Sequence, residues 1–242
     1  MTARTKLDQF RGRLSLEQIA EGMTAAGKNA CRLLEDAQLL FENGRYPSAL
    51  ALSILAIEEG GKLPILRRMV TATDDRQLVG LWKEYRSHTK KNVAWMFADL
   101  INRTGPTKLE DLRPLFAHNA EHPYILDQLK QIALYTDSLG EAQWSNPTAV
   151  VEHELAEAVL GVARYLVKAD AVTVRELELW NEHMSEFADG TDMEGARRAL
   201  SQWYAAMQAE GLRPQGANVM QTFVTTGLGV PRGKDRGSGD TK

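Results

Sequence analysis

Apolar residues Ile19, Met23, Ala26, Ala30, Leu33, Ala37 and Leu40 follow one another at steps of four and three. That period fits one face of an α-helix. Ser15-Leu-Glu-Gln18 before it has the form of a capping box, and Asn43-Gly44 after it the form of a C-cap. The spacing therefore predicts a helix with a stripe of about six turns. The pattern then changes. From Ala49 to Ile57 every residue except Ser53 is apolar, so apolar positions surround the second helix and predict that other helices enclose it. Pro47 suits its first turn, and the short connection predicts antiparallel packing on the first helix. The apolar run meets Glu58, Glu59, Gly60, Gly61, Lys62 and Pro64. Pro64 cannot donate to the carbonyl of Gly60, so the helix is expected to kink or end there.

Thr73-Asp74-Asp75 caps a third predicted helix, carrying Leu78, Leu81, Trp82, Tyr85, His88, Lys91, Trp95, Met96 and Leu100. Residues 104–122 include Gly105, Pro106 and Pro114 and predict a long connection, a kind of segment often used for function. Pro123 opens a short helix through Tyr135, Asp137–Asn146 is a loop, and Pro147 starts a long helix to about Phe187. A final helix is expected from Asp192 to Glu210, ended by Gly211 and Pro214. No stretch alternates like a strand. The pattern predicts an all-α, antiparallel helical bundle with extra C-terminal helices: one domain over 15–225, with its core at about 15–187 and a helical extension at 188–225. An arm of residues 1–14 precedes it. The Gly-rich, charged residues 226–242 are expected to form a disordered tail.

Composition alters this picture little. Of 242 residues, 43 % are hydrophobic and 25 % charged, as in soluble globular proteins. The net charge of −3 gives no global attraction to nucleic acid, so any such binding needs a local patch. Cys31 is the single cysteine, which excludes an internal disulfide and a cysteine-rich zinc site and fits a reducing compartment. The longest apolar run is far short of a membrane span, and MTARTKLDQFRGR lacks the apolar core of a signal peptide. A cytoplasmic protein without a membrane partner is expected.

Two constellations could carry chemistry. Glu58 and Lys62 stand four apart and can meet on one helix face. Glu58 and Glu59 point about 100° apart, so an enclosed helix cannot expose both, and at least one carboxylate needs a buried partner. A structural ion pair that fixes helix docking is one reading, and part of a reactive site is the other. The second constellation, Lys83-Glu-Tyr-Arg86-Ser-His88-Thr-Lys90-Lys91, sets an imidazole among cations. It is either a solvated basic face or the proton-transfer and charge-stabilising groups that metal-independent RNA cleavage requires. His153 with Glu157, and His183 with Glu182 and Glu186, do not supply two histidines at ligand spacing, and no HExxH or Cys/His cluster occurs. No metal or cofactor is expected. GxxxxGK[ST] and GxSxG are absent too, which leaves nucleotide hydrolysis and serine-hydrolase chemistry without support.

Three ordered segments resemble one family. Leu33-Leu-Glu-Asp-Ala-Gln-Leu-Leu40, Gly44-Arg-Tyr46 and Ala56-Ile-Glu-Glu-Gly-Gly-Lys62 form the first; Arg86-Ser-His88-Thr-Lys-Lys91 is the second; Ala133-Leu-Tyr-Thr-Asp137 with Trp144 and Asn146-Pro147 is the third. Together, from about residue 25 to 185, they are similar to the AbiV family of abortive-infection proteins in the HEPN superfamily. The resemblance implies a HEPN-like bundle, a homodimer, and a regulated toxin acting in defence against phage by cutting RNA. Arg113 and His118 also match the Arg-x(4–6)-His spacing of HEPN ribonucleases, although Pro114 departs from the polar residue common there.

Residues and resemblance together give the expected site. His88 is the general acid/base, Lys91 and Lys62 stabilise the phosphate, and Glu58 or Glu59 orients them. Arg86, Lys90, Tyr135 and Asp137 line the cleft and bind RNA. The alternative is a non-catalytic helical module that senses or binds a phage or host protein, with the same polar residues fixing helix register.

Overall fold

A computed structural model describes residues 8–91, 122–168 and 170–226 of the 242-residue chain. The architecture is all-α. α1 (Leu16–Glu42) begins with the capping box, Ser15 and Gln18 each satisfying the other's backbone N–H. It ends at Asn43, and Gly44 supplies the left-handed turn at φ 70° that a side chain would disfavour. α2 (Tyr46–Gly60) folds back against α1 and is enclosed as its composition predicts: Ala49, Leu50, Ala51, Ile54, Ala56 and Ile57 are buried. Its one hydroxyl in that run, on Ser53, donates to the carbonyl of Ala49 at 2.8 Å and so needs no water.

The Gly-Gly-x-x-Pro segment divides the helix. α2 stops at Gly60, and α3 (Lys62–Val70) starts after a single turn residue, Gly61. Pro64 thus falls in the first turn of α3, where a backbone N–H has no intrahelical acceptor in any case. The division separates two cores. α2 packs with α6 (His122–Leu134) and α8 (His153–Leu166) around Leu50, Ile54, Ile57, Leu126 and Val159. α3 packs with α1, α4 (Asp75–Arg86) and α9 (Val174–Met184) around Met23, Leu66, Met69, Leu81 and Leu177. Glu58 to Gly61 lies at the joint.

Other boundaries differ from the sequence pattern. The third helix does not run on from Asp75: Ser87 is extended (φ −85°, ψ 124°), and a new segment, α5 (His88–Lys91), begins after it. Residues 92–121, including the expected connection, lie outside the described residues. The long helix expected from Pro147 to Phe187 is α7 (Pro147–Val150), α8, α9 and a 3-10 turn, Ser185–Phe187. Thr173 and Glu176 form a second capping box, which restarts the chain as α9. Within the expected 137–146 loop, Ser138–Leu139 and Gln143–Trp144 pair as a small antiparallel hairpin, β1 and β2.

α10 (Met193–Ala209) and α11 (Val219–Thr226) complete the described chain. α9 and α10 enclose a separate cluster of Leu179, Trp203 and Met207. Arg67 of α3 ties it to the bundle, its guanidinium 5.4 Å from the Trp180 ring centre and 5.6 Å from that of Trp203. The N-terminal arm is attached as well: Trp82 donates to the carbonyl of Gly12 at 2.9 Å, and Arg13 to that of Ala72 at 2.9 Å. No described helix is long and apolar enough to cross a membrane.

Candidate functional site

Glu58 stands four residues after Ile54 and seven after Ala51, both fully buried, so the same helix face carries its carboxylate into the interior. Only 2 % of the residue is exposed. A carboxylate so placed requires partners, and three arrive from other elements. Lys130 of α6 donates to Oε1 at 2.7 Å. His88 of α5 brings Nδ1 to 2.7 Å from Oε2. The Lys91 ammonium lies 3.9 Å from Oε2. Lys130 also pairs with Asp127 at 3.0 Å.

Lys130 is absent from the sequence-based site. Its signal was positional: it follows Leu126 by four residues and precedes Ala133 by three, and all three are buried on one face of α6. A lysine inside an apolar stripe implies a carboxylate facing it. Desolvation pulls the Lys130 ammonium down, but hydrogen bonds to Glu58 and Asp127 outweigh it and leave the group above its ordinary range. Lys91 goes the other way. Burial lowers it, Glu58 offsets only part of this, and Lys62 lowers it further.

The approach of α5 depends on two backbone features. Extended Ser87 breaks the helix before His88. Gly61, at the α2–α3 joint, then admits the Lys91 main chain, because a Cβ on Gly61 would overlap the Lys91 carbonyl oxygen. Together they lay His88 and Lys91 across the end of α2.

Among the described partners of Glu58, His88 is the exposed one. Its side chain is 59 % exposed, against 3 % for Glu58, 8 % for Lys91 and 7 % for Lys130. A carboxylate only accepts, so the 2.7 Å contact makes Nδ1 the ring nitrogen that donates to Glu58, with the Lys130 ammonium farther off at 3.5 Å. In the neutral ring, Nε2 then carries the basic lone pair. The arrangement is a buried carboxylate orienting an accessible imidazole.

Other expected site residues are distributed differently. Lys62 pairs with Glu59 at 2.5 Å and lies 5.3 Å from the Tyr85 ring centre; the i,i+4 pair of Glu58 with Lys62 does not form, because the turn at Gly61 interrupts the helix between them. Lys91 faces Glu58 from inside the fold, which suits holding that carboxylate better than contact with a phosphate. Arg86 donates to the carbonyls of Phe10 and of Trp82, the latter at 3.4 Å, and stacks 4.9 Å over the Trp82 ring. Lys90 belongs to α5. Tyr135 is 60 % exposed beyond the end of α6. Asp137 serves the hairpin: its Oδ1 accepts from the Ser138 N–H at 2.8 Å, and its carbonyl accepts from the Ser145 N–H at 2.7 Å. No described contact joins Tyr135 or Asp137 to Glu58 or His88. Arg113 and His118 lie outside the described residues. His153 packs on Phe41 and Tyr46, with ring centres at 5.0 and 5.3 Å. Among the described residues, no three His, Cys, Asp or Glu side chains form a group that could hold a metal.

No curated protein and no solved structure matches the chain. A family model does: the HEPN_AbiV model, described as AbiV, covers residues 18–168, from the start of α1 to the end of α8. This span contains Glu58, the Gly61 joint, His88, Lys91 and Lys130, and it is well over half of the 242 residues. The chain belongs to the AbiV family of HEPN proteins.

Proposed function

We propose that this AbiV-family protein is an abortive-infection effector against phage and a metal-independent endoribonuclease toxin, with His88 as its proton-transfer group. The observation that carries the reading is the 2.7 Å contact between buried Glu58 and Nδ1 of exposed His88. The carboxylate fixes ring orientation and tautomer and stabilises the imidazolium that forms on proton uptake. In the reaction Nε2 takes the proton of a 2′-hydroxyl, and O2′ attacks the adjoining phosphorus. The bond from phosphorus to the 5′ oxygen breaks, and that oxygen leaves with a proton from solvent or from His88 of a second copy. The products are a 2′,3′-cyclic phosphate and a 5′-hydroxyl. Lys91 and Lys130 position Glu58, and Arg86 and Lys90 are assigned to RNA binding. A homodimer and a phage or host regulatory protein complete the reading, since an unrestrained ribonuclease harms its own cell.

Wild type and His88→Ala are compared for growth arrest on expression and for cleavage of cellular RNA with EDTA present. Loss of both in a folded His88→Ala protein is expected, together with resistance of a substrate carrying 2′-deoxyribose at the cleaved position. Undiminished toxicity of His88→Ala removes His88 from the mechanism. A second reading, a non-catalytic module that binds a phage or host protein, draws on the burial of Glu58, Lys91 and Lys130, which also suits a polar network that fixes helix register.

A further inference from the structure

We infer that the groove between the N-terminal arm and α4 is a single-stranded RNA subsite, holding the nucleotide next to the one at His88. It is a pocket of about 350 Å³ lined by Arg11, Val79, Trp82, Lys83, Arg86 and Ser87. Ligand pockets span about 300–1,000 Å³, so this one suits a single nucleotide and not a protein helix. The inference rests on the ribonuclease reading and adds where the substrate is gripped.

Three features select the ligand. Of the six lining residues three are cationic and none is acidic, in a chain whose net charge is −3. This is the local patch that an acidic protein needs to hold a polyanion. Arg11 and Lys83 are exposed and form no ion pair among the described residues, whereas Glu84, the carboxylate of α4 nearest in sequence, is engaged by Arg68 at 2.7 Å. The floor and rim are apolar and aromatic. Val79 is 48 % exposed, Phe10 is 56 % exposed and meets the Trp82 ring edge-on at 6.1 Å, and the Arg86 guanidinium lies 4.9 Å from the Trp82 ring centre. A base takes the apolar and guanidinium surfaces while phosphates meet Arg11 and Lys83, the pairing of stacking with charge by which single strands are bound.

Position supplies the third. Ser87 is part of the pocket wall and is bonded directly to His88, one Cα step of about 3.8 Å away. In this proposal a strand leaving the pocket past Ser87 carries its next phosphodiester to the imidazole. An acidic peptide would satisfy the cations but leave the stacking surfaces unused.

The test uses the full chain as wild type, His88→Ala, and the exposed double variant Arg11→Ser/Lys83→Ser. A fluorescent 12-nucleotide single-stranded RNA is titrated against each at several salt concentrations, and cleavage is measured as kcat and KM. In the double variant, Kd and KM are expected to rise about tenfold and the salt slope to fall by about two, with kcat changed little. His88→Ala is expected to bind as wild type and not cleave. Unchanged Kd and KM in the double variant, while wild type still cleaves and His88→Ala does not, overturns the subsite and spares the ribonuclease. RNA binding that depends on Arg11 and Lys83 in a wild type without cleavage supports the subsite and removes the ribonuclease. Displacement of the RNA by an equimolar acidic 12-residue peptide overturns the assignment to RNA.

Discussion

Gly61 has no side chain at the point where the main-chain carbonyl of Lys91 crosses the joint between α2 and α3. The two glycines of this joint are not equivalent. An added Cβ on Gly61 has no room, whereas on Gly60 it would reach nothing nearer than Val167 at 4.0 Å. Gly61→Ala should push α5 away, part His88 from Glu58 and destabilise the fold by about 1–3 kcal/mol. Gly60→Ala should be neutral or gain up to about 1 kcal/mol from helix propensity. Urea denaturation of both variants, with the His88 ring followed by NMR, decides the point. Equal effects at the two positions would contradict the close approach.

Glu58 and Lys130 should be coupled. Removing either charge leaves the other buried without its closest partner, and single changes Glu58→Gln and Lys130→Met should each cost about 3 kcal/mol. The double variant should lose less than the sum, with a coupling of about 1–3 kcal/mol in a double-mutant cycle. Additive losses would mean that the 2.7 Å bond contributes nothing as a pair.

The two buried lysines should respond differently to alkali. Lys91 is held below the ordinary lysine value of 10.5. Between its folded value and 10.5 the unfolded chain keeps a proton that the folded chain has shed, so the stability that Lys91 contributes rises with pH in that window. Lys130 is held above 10.5, so its contribution is complete below that pH and is lost only as pH rises through the higher folded value. From pH 7 towards 10.5, wild type should gain melting temperature relative to Lys91→Met, while its difference from Lys130→Met stays flat. A flat Lys91→Met comparison refutes the depressed lysine.

Arg67 should control attachment of the C-terminal helices. Its guanidinium lies over both Trp180 and Trp203, and buried Glu176 pairs with Arg213 at 2.5 Å. Arg67→Ala should lose about 2 kcal/mol of cation–aromatic contact. Limited proteolysis should then cut between α8 and α9 faster than in wild type. Unchanged cleavage would show that Arg67 does not bear on the docking.

Much of the fold was legible in the chain because local periodicity and capping report it directly. The stripe and capping box fix α1, and the all-round apolar run identifies α2 as the central helix. The need for a buried partner at Glu58 or Glu59 was also legible, since an enclosed helix cannot expose both carboxylates. Which partner each would take was not. The i,i+4 spacing favoured Lys62 for Glu58, but a single turn residue at Gly61 rotated Lys62 to Glu59 and left Glu58 to Lys130, 72 residues away.

By itself the sequence determined the all-α class, the ends of the first two helices, the break before Pro64 and the family, because each is written in neighbouring residues. The tertiary structure alone decided that extended Ser87 sets His88 against Glu58, that Gly61 admits the Lys91 backbone, and that Lys130 completes the site. The physical reason is common to all three. A buried carboxylate is stabilised by whichever donors the packing brings within hydrogen-bond reach, and packing between distant helices is not encoded in the spacing along any one of them.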